Sequence, residues 1–425
     1  MNASTDVAII GGGPAGSVAA AALAQRGHRV TLLEASAFPR FKIGESLLPN
    51  GNAVWRAIGV WDKIERAGFV KKEGAEFLSA NGSCAVHNVF ARGLMPGRDY
   101  TYQVERSRFD HLLLEHAREQ GVEIRQPAKV AALAQSADGW TLNTDTGETL
   151  RAAFVLDASG RTAVLGHHLK LARDTLPYPK RLALYLHARH VRRDEGARGG
   201  NIIITRLPDG WSWFIPVDGD RVSLGVVTTP ERLKASGQDR LDFFWQALRQ
   251  SPQLAERLAQ AEATSELHVT ADYSYSHTDF GGPRHLLVGD AACFIDPIFS
   301  SGVYLASESA YAAAQLVDRA LQAKRPLRAA ETTRYTHQIK ARVQVMRQLI
   351  ENFYDDDGAA VFMHPSNVLK LFDAVNSVVA GCTRLPWRLR WRYAIFNGIC
   401  AANRRWHFIP RVDEASQPEL GGRVA

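Results

Sequence analysis

The sequence predicts an α/β fold: a Rossmann-like dinucleotide-binding domain with an inserted β-sheet substrate domain and a C-terminal helical region. Three observations carry this. An apolar strand near the N-terminus enters a glycine turn and an alanine-rich helix; residues 180–280 break into short extended pieces separated by turns; residues 340–415 read as mostly helical and rich in aromatics and arginine. At 425 residues the chain exceeds the usual size of one compact domain. The expected boundaries are 1–175 with 281–330 for a discontinuous nucleotide domain, 176–280 for the β-rich substrate domain, and 331–425 for the helical region.

The N-terminal elements run strand, tight turn, helix, strand, acid. Val7-Ala8-Ile9-Ile10 is a buried strand, followed by Gly11-Gly12-Gly13-Pro14-Ala15-Gly16, a helix over 17–25, and a second strand from Arg29 to Leu33 that ends at Glu34. Gly11 allows the turn, Gly13 lets backbone approach a pyrophosphate, and Gly16 lets helix and strand pack closely. Free amides at the helix N-terminus favour phosphate. Glu34 can accept both ribose hydroxyls, which favours an adenosine without a 2′-phosphate. This fingerprint alone leaves FAD and NAD both open.

Further along, apolar spacing predicts helices over 51–68 and from Arg106 to about Glu119, then a strand around Val122-Ile124. Lys129–Leu133 and Trp140–Thr144 alternate as a hairpin, and the strand Ala153–Leu156 ends in Asp157-Ala158-Ser159-Gly160-Arg161, small residues and an acid suited to a nucleotide crevice. Extended pieces at 182–187, 201–205, 211–216, 221–227 and 265–270, with a helix of about 240–260 among them, predict the second sheet. The first domain resumes with strand Arg284–Val288, then Gly289-Asp290, Asp296-Pro297, Ser300-Ser301-Gly302, and a helix from about Val303 to Ala323. Asp290 could hold ribityl or pyrophosphate groups, and the amides near Gly302 could hold an anion. The arginines and tryptophans of 387–406 read first as a packed helical layer, and functionally as a lid or a docking face for an acidic partner. Residues 414–425 read as a loose tail.

Composition excludes several classes. Hydrophobic residues make up 46% and charged residues 22%, as in an ordinary folded domain. The net charge of +7 and pI near 9.3 come from basic residues spread along the chain, without zinc-finger spacing or a basic arm, so no nucleic-acid partner is expected. Cys84, Cys293, Cys382 and Cys400 form no CxxC pair, and His28, His167, His168 and His407 lack ligand spacing, so neither a disulfide scaffold nor a metal site is expected. With no leader-like or membrane-spanning segment, a cytoplasmic location is expected by default.

In combination, the Gly11-to-Gly16 motif, Asp157-Ala158-Ser159-Gly160 and Gly289-Asp290-Ala291 resemble the FAD-dependent aromatic hydroxylase superfamily over roughly the first 325 residues. The resemblance implies FAD, with Arg106 near the flavin. Within it, Trp211-Ser212-Trp213-Phe214-Ile215-Pro216 matches the WxWxIP signature of the flavin-dependent halogenases, which implies that Trp211, Trp213, Ile215 and Pro216 lie on the substrate side. Lys42-Ile43-Gly44-Glu45-Ser46 resembles their flavin-covering segment, and the essential lysine falls on Lys72. Asp296 to Gly302 resembles their halide site. There Pro297, Gly302 and Val303 would lie against the flavin, and the amides of Ser301 and Gly302 would hold chloride or bromide. Where the tryptophan-specific members carry a glutamate, this chain has Phe299, so the resemblance is to the group acting on phenols or pyrroles, often tethered to an acyl or peptidyl carrier protein. It implies reduced FAD delivered by a separate flavin reductase, and hypohalous acid guided by Lys72. The alternative is an aromatic monooxygenase on the same fold.

Overall fold

The computed structural model describes residues 3–175, 180–271 and 274–412; the expected tail at 414–425 lies outside them. The chain divides into two compact units. The first comprises 1–69, 104–177 and 273–346; the second comprises 70–103, 178–272 and 347–425. This differs from the sequence expectation in two respects. Residues 70–103 leave the first unit, because Gly74–Leu78 pairs in parallel with Ile202–Leu207. The helices after 347 belong with the second sheet rather than forming a region of their own.

The first unit is a mixed α/β layer. Its sheet runs in the order Gly281–Gly282, His285–Leu287, Thr149–Asp157, Ala3–Ile10, Val30–Leu33, Glu123–Arg125, and from His285–Leu287 onward neighbouring strands are parallel. The hairpin of Val130–Gln135 and Trp140–Thr144 adds to Thr149–Asp157. Helix Pro14–Ala24 is buried along its length except at Ala24, so alanine fills most of a surface that larger side chains would overfill. The helices Arg106–Glu119 and Gly302–Gln322 pack against it. The helix expected over 51–68 is two short ones, Asn52–Ala57 and Trp61–Arg66, broken at Gly59, whose φ of +73° an L-residue adopts only with strain.

The second unit is built on a sheet ordered Glu262–Ala263, Leu182–Arg189, Val222–Thr228, Gly210–Pro216, Ile202–Leu207, Gly74–Leu78, Ala85–Val89. Its faces differ. Leu184, Leu186, Phe214 and Leu224 pack with Phe243, Phe244 and Leu248 of helix Arg240–Arg249. The helix expected over 240–260 is two, Arg240–Arg249 and Pro252–Arg257, because Pro252 cannot donate to a continued helix and instead starts a new one. On the opposite face the register aligns Ile204, Trp213, Gly225 and Tyr185 in one row, and Phe77 meets Phe353 and Phe362 of the C-terminal helices.

The tightest constraint in the first unit is at Gly16, where an added Cβ would stand 1.8 Å from the carbonyl oxygen of Gly11. Gly16→Ala should therefore cost about 3 kcal/mol or more through overpacking. Thermal unfolding and flavin absorbance per chain are the measurements. A variant with unchanged melting temperature and full flavin content would contradict this packing argument.

Candidate functional site

The nucleotide end of the first unit is pre-shaped. Glu34 is buried, and its carboxylate accepts from the backbone N–H of Gly12 at 2.6 Å and of Ser36 at 2.9 Å. The acid is thus fixed at the end of strand Val30–Leu33 with lone pairs left for ribose hydroxyls. Gly13 is the N-cap of helix Pro14–Ala24, and its missing side chain leaves a cradle that the Arg40 guanidinium overhangs, 3.5 Å from where a Cβ would be. A cation over free helix amides suits a pyrophosphate. Sequence reasoning missed Arg40, because nothing local distinguishes it from a surface arginine.

The flavin end is organised around two loops. In the first, Gly44 has φ +106°, and Arg106 donates to the carbonyls of Ile43 at 2.8 Å and Gly44 at 3.3 Å. Arg106 also forms a two-pronged pair with the buried carboxylate of Asp110, at 2.7 and 2.9 Å. Its guanidinium therefore braces the 42–46 segment from beneath, and Val104 N–H adds a bond to the carbonyl of Glu45. Glu45 and Ser46 are buried, while Lys42 lies at the exposed rim.

In the second, Asp290 sits in the turn Gly289–Ala291, and burial pushes its carboxyl up to about 6 against the opposing pull of Lys42, Arg106 and Arg161. A small cavity is lined by Asp290, Phe294, Ile295, Gly302, Leu305 and Ala306, so two motifs separated in sequence share one wall. Ser300 adopts φ +56° and turns the chain into helix Gly302–Gln322, whose first-turn amides have no acceptor within the helix. A Cβ on Gly302 would meet open space, and the buried Oγ of Ser301 has no protein hydrogen-bond partner. Pro297 and Phe299 lie in the turn that precedes them, fixed by Asp296 Oδ1 accepting from Ile298 N–H. A buried orphan hydroxyl beside open amides fits a small anion and a flavin ring edge. Asp157, by contrast, is fully committed to structure: its carboxylate accepts from Ser159 N–H, Ser159 Oγ and Leu165 N–H.

Within the second unit, Lys72 ends the strand Val70–Lys72, which pairs with Thr101–Gln103. It is 1% exposed, its Nζ lies 5.3 Å from the centre of the Phe90 ring, and burial pushes its ammonium down to about 7. Lys71 points the other way, to solvent, and pairs with Glu73. Alternation places Gln103 on the Lys72 side of this ribbon. Its Nε2 donates to the carbonyl of Gly200 at 3.0 Å, which leaves a buried Oε1 with no donor. Sequence analysis missed Gln103, whose signal is only its strand alternation with Lys72.

The tryptophans of the signature are buried and satisfied. Trp211 Nε1 donates to Tyr354 Oη at 2.7 Å and Trp213 Nε1 to Ser223 Oγ at 3.1 Å. Gly225 exists because Trp213 lies across it: a Cβ there would fall 2.2 Å from the indole. Ile215 and Pro216 continue the same buried strand.

The chain matches the FAD binding domain family over residues 4–348. It is 35% identical over 331 residues to the 1H-pyrrole-2-carbonyl-(peptidyl-carrier protein) chlorinase of Pseudomonas fluorescens, covering 72% of this chain and 74% of that protein. To the flavin-dependent halogenase rdc2 of Metacordyceps chlamydosporia it is 32% identical over 348 residues, covering 75% of this chain and 66% of that protein. The chain thus spans slightly under two-thirds of the second relative's length. Among solved structures, it superposes on a flavoprotein/dehydrogenase from Cytophaga hutchinsonii with TM-score 0.87 and 26% identity, and on the flavin-dependent brominase Bmp2 with TM-score 0.81 and 28% identity. Each superposition covers 95% of this chain and 100% of the other. The chain belongs to the FAD-binding-domain family and, within it, to the flavin-dependent halogenases, with FAD as its cofactor.

Proposed function

We propose that this chain halogenates a phenol or pyrrole ring, presented on an acyl or peptidyl carrier protein, with chloride or bromide, oxygen and reduced FAD from a separate flavin reductase. The observation that carries this is Lys72: an amine 1% exposed, with burial the one cause of a pKa brought to about 7. An ordinary structural lysine keeps its ammonium in water. A lysine desolvated to this degree is a nucleophile at neutral pH.

When bound and reduced, FAD supplies the two-electron activation of oxygen that oxidises halide to hypohalous acid. Ser301 and Gly302 hold the halide through backbone amides, Glu34 and Arg40 hold the adenosine and pyrophosphate, and Arg106 fixes the 42–46 segment. The neutral amine of Lys72 attacks the halogen of hypohalous acid; an N–halogen bond forms, the halogen–oxygen bond breaks, and water leaves with the amine proton. The haloamine then transfers its halogen to a ring carbon: the carbon–halogen bond forms, the nitrogen–halogen bond breaks, and the ring proton is released to restore the neutral amine. Gln103 Oε1 is positioned to accept from a ring O–H or N–H. Phe299 offers no carboxylate, so the ring itself must be electron-rich. The carrier is supported by the 35% identity to a chlorinase of a carrier-bound pyrrole.

Oxygenated assays with a flavin reductase, with and without halide, test the reaction by product mass. A halide-dependent gain with the halogen isotope pattern is expected; a halide-independent gain of one oxygen would replace halogenation by hydroxylation. Lys72→Met should retain FAD and still release hypohalous acid to a small β-diketone trap, while ring product falls about 100-fold or more. In the wild type, the ratio of ring product to trapped oxidant should rise as pH passes through about 7, where the amine loses its proton. Undiminished ring halogenation by Lys72→Met would remove the lysine from the mechanism.

The same burial has a stability consequence with a definite sign. Between about 7 and its usual value of 10.5, Lys72 is protonated when unfolded and neutral when folded, so its presence costs stability most below pH 7 and least in alkali. Lys72→Met should melt higher than wild type, by a margin that shrinks as pH rises; a lower melting temperature at pH 6 would contradict this. Asp290 gives a separate test. Ribityl hydroxyls donate to its carboxylate, so FAD affinity should weaken as pH falls through about 6, and Asp290→Asn should bind weakly with no such pH dependence.

A further inference from the structure

We propose that the surface formed by residues 368–370 and the N-terminal half of helix Trp387–Trp406 is a docking face for an acidic carrier-protein domain. This deepens the carrier reading above by naming where the carrier sits.

Several of the most exposed large apolar side chains lie here, while Trp406 and Phe408 are exposed at and beyond the far end of the same helix. Val368 is 69% exposed, Leu369 59% and Trp387 66%, with Ile395 further along the helix at 38%. Single exposed apolar residues need no explanation, but a cluster rimmed by charge does. The inward face of the helix is already used: Leu389, Tyr393, Phe396 and Cys400 are buried in the fold. Trp387 is therefore not a misdirected core residue, and its outward position is free for another molecule.

The cluster is held rigidly. Leu369 and Lys370 are consecutive non-glycine residues in left-handed backbone, with φ of +56° and +61°. Such strain persists only where surrounding bonds over-determine it. One such bond comes from Arg392, whose Nε donates to the carbonyl of Leu369 at 2.7 Å and ties this turn to the helix. The strained turn presents Val368 and Leu369 to solvent as a preformed knob, which lowers the ordering cost of binding.

The charge around the knob is mainly positive. The N-terminal half of helix Trp387–Trp406 carries Arg388, Arg390 and Arg392 and no acid, and the exposed Lys370 and Arg384 add to that end; Asp373, in the first turn of helix Leu371–Val379, is the nearby acid. Arg388 and Arg392 stack on Trp387 and Trp391, at 5.6 and 4.1 Å from the ring centres. Stacked, pre-oriented guanidinium groups around an apolar centre are suited to carboxylates on a folded protein partner. A lipid surface would ask for a continuous apolar helix face, which here is turned inward. The same unit carries Lys72, so a carrier held on this face would deliver its tethered acyl ring to the unit that carries the halogen-transferring amine.

The test uses the full-length FAD-loaded enzyme and a fluorescently labelled, net-negative peptidyl carrier domain bearing phosphopantetheine. Binding is followed by anisotropy for wild type, Arg388→Glu/Arg390→Glu and Trp387→Ala. We expect each variant to bind the carrier about tenfold more weakly or worse, with wild-type affinity falling steeply with salt. Release of hypohalous acid and halogenation of an untethered phenol should be unchanged in both, which also establishes that they fold. Equal carrier binding by wild type and charge-reversed protein, or no carrier binding by wild type, overturns the proposal. So does patch-dependent binding of duplex RNA or anionic vesicles with none of the carrier. Halogenation of free rings without carrier binding would remove the docking face and leave the halogenase reading intact. Patch-dependent carrier binding without any halogenated product would do the reverse.

Discussion

The FAD unit depends on one close approach. Gly11 and Gly16 leave no room for a side chain: a Cβ on Gly11 would fall 2.4 Å from the carbonyl of Ala158, and one on Gly16 would fall 1.8 Å from the carbonyl of Gly11. The first strand, the first helix and the loop after Thr149–Asp157 therefore meet backbone to backbone. Several of the residues proposed to hold the cofactor are positioned from this junction. The helix N-terminus is aimed by it, Glu34 is bonded to the amide of Gly12 within it, and the turn carrying Asp290 packs on it through Ala15, which lies 3.1 Å from a Cβ placed on Gly289. Asp157 locks the same corner from the other side by capping residues 159–165.

How much of this was legible in the sequence follows from the range of the interaction responsible. The nucleotide fingerprint could be read because its strand, turn, helix and acid are spaced by covalent geometry within some thirty residues. The membership of 70–103 could not, because it is decided by strand Gly74–Leu78 pairing with a strand more than a hundred residues away. Arg106 shows a subtler limit. The resemblance implies a place near the flavin; in the structure Arg106 binds Asp110 and the carbonyls of 43 and 44, which braces the segment. Asp157 reads as a nucleotide ligand from its place at a strand end, yet its oxygens are already taken. In both cases the residue type and position were informative, and the partner was not.

The lysine pair illustrates why resemblance and structure are both needed. By composition alone, Lys71-Lys72 is a solvated face. Strand alternation sends one side chain out to Glu73 and the other inward beside Phe90, so adjacent identical residues acquire opposite electrostatics. The outward one lies in solvent; the inward one loses its hydration, which pushes its ammonium down to about 7. The resemblance singles out Lys72, but the burial on which its proposed role as a nucleophile rests is reported by no local pattern. Gln103 is the same kind of residue. Its amide nitrogen is fixed by Gly200, so its oxygen is aimed by geometry invisible in the sequence.

The proposed chemistry also suits a closed second unit. Hypohalous acid oxidises sulfur and electron-rich side chains without discrimination, so an enzyme that makes it must limit what it meets. The two signature tryptophans are buried with their N–H groups bonded, one to Tyr354 and one to Ser223, and the Trp213 ring lies against Gly225 where any side chain would displace it. Buried indoles of this kind offer little to solvent. The basicity of Lys72 is lowered by its own burial beside Phe90. A change that admitted water to the Lys72 environment would both restore the ammonium and open the oxidant to side reactions. In the proposed mechanism, selectivity and nucleophilicity both rest on the burial of Lys72.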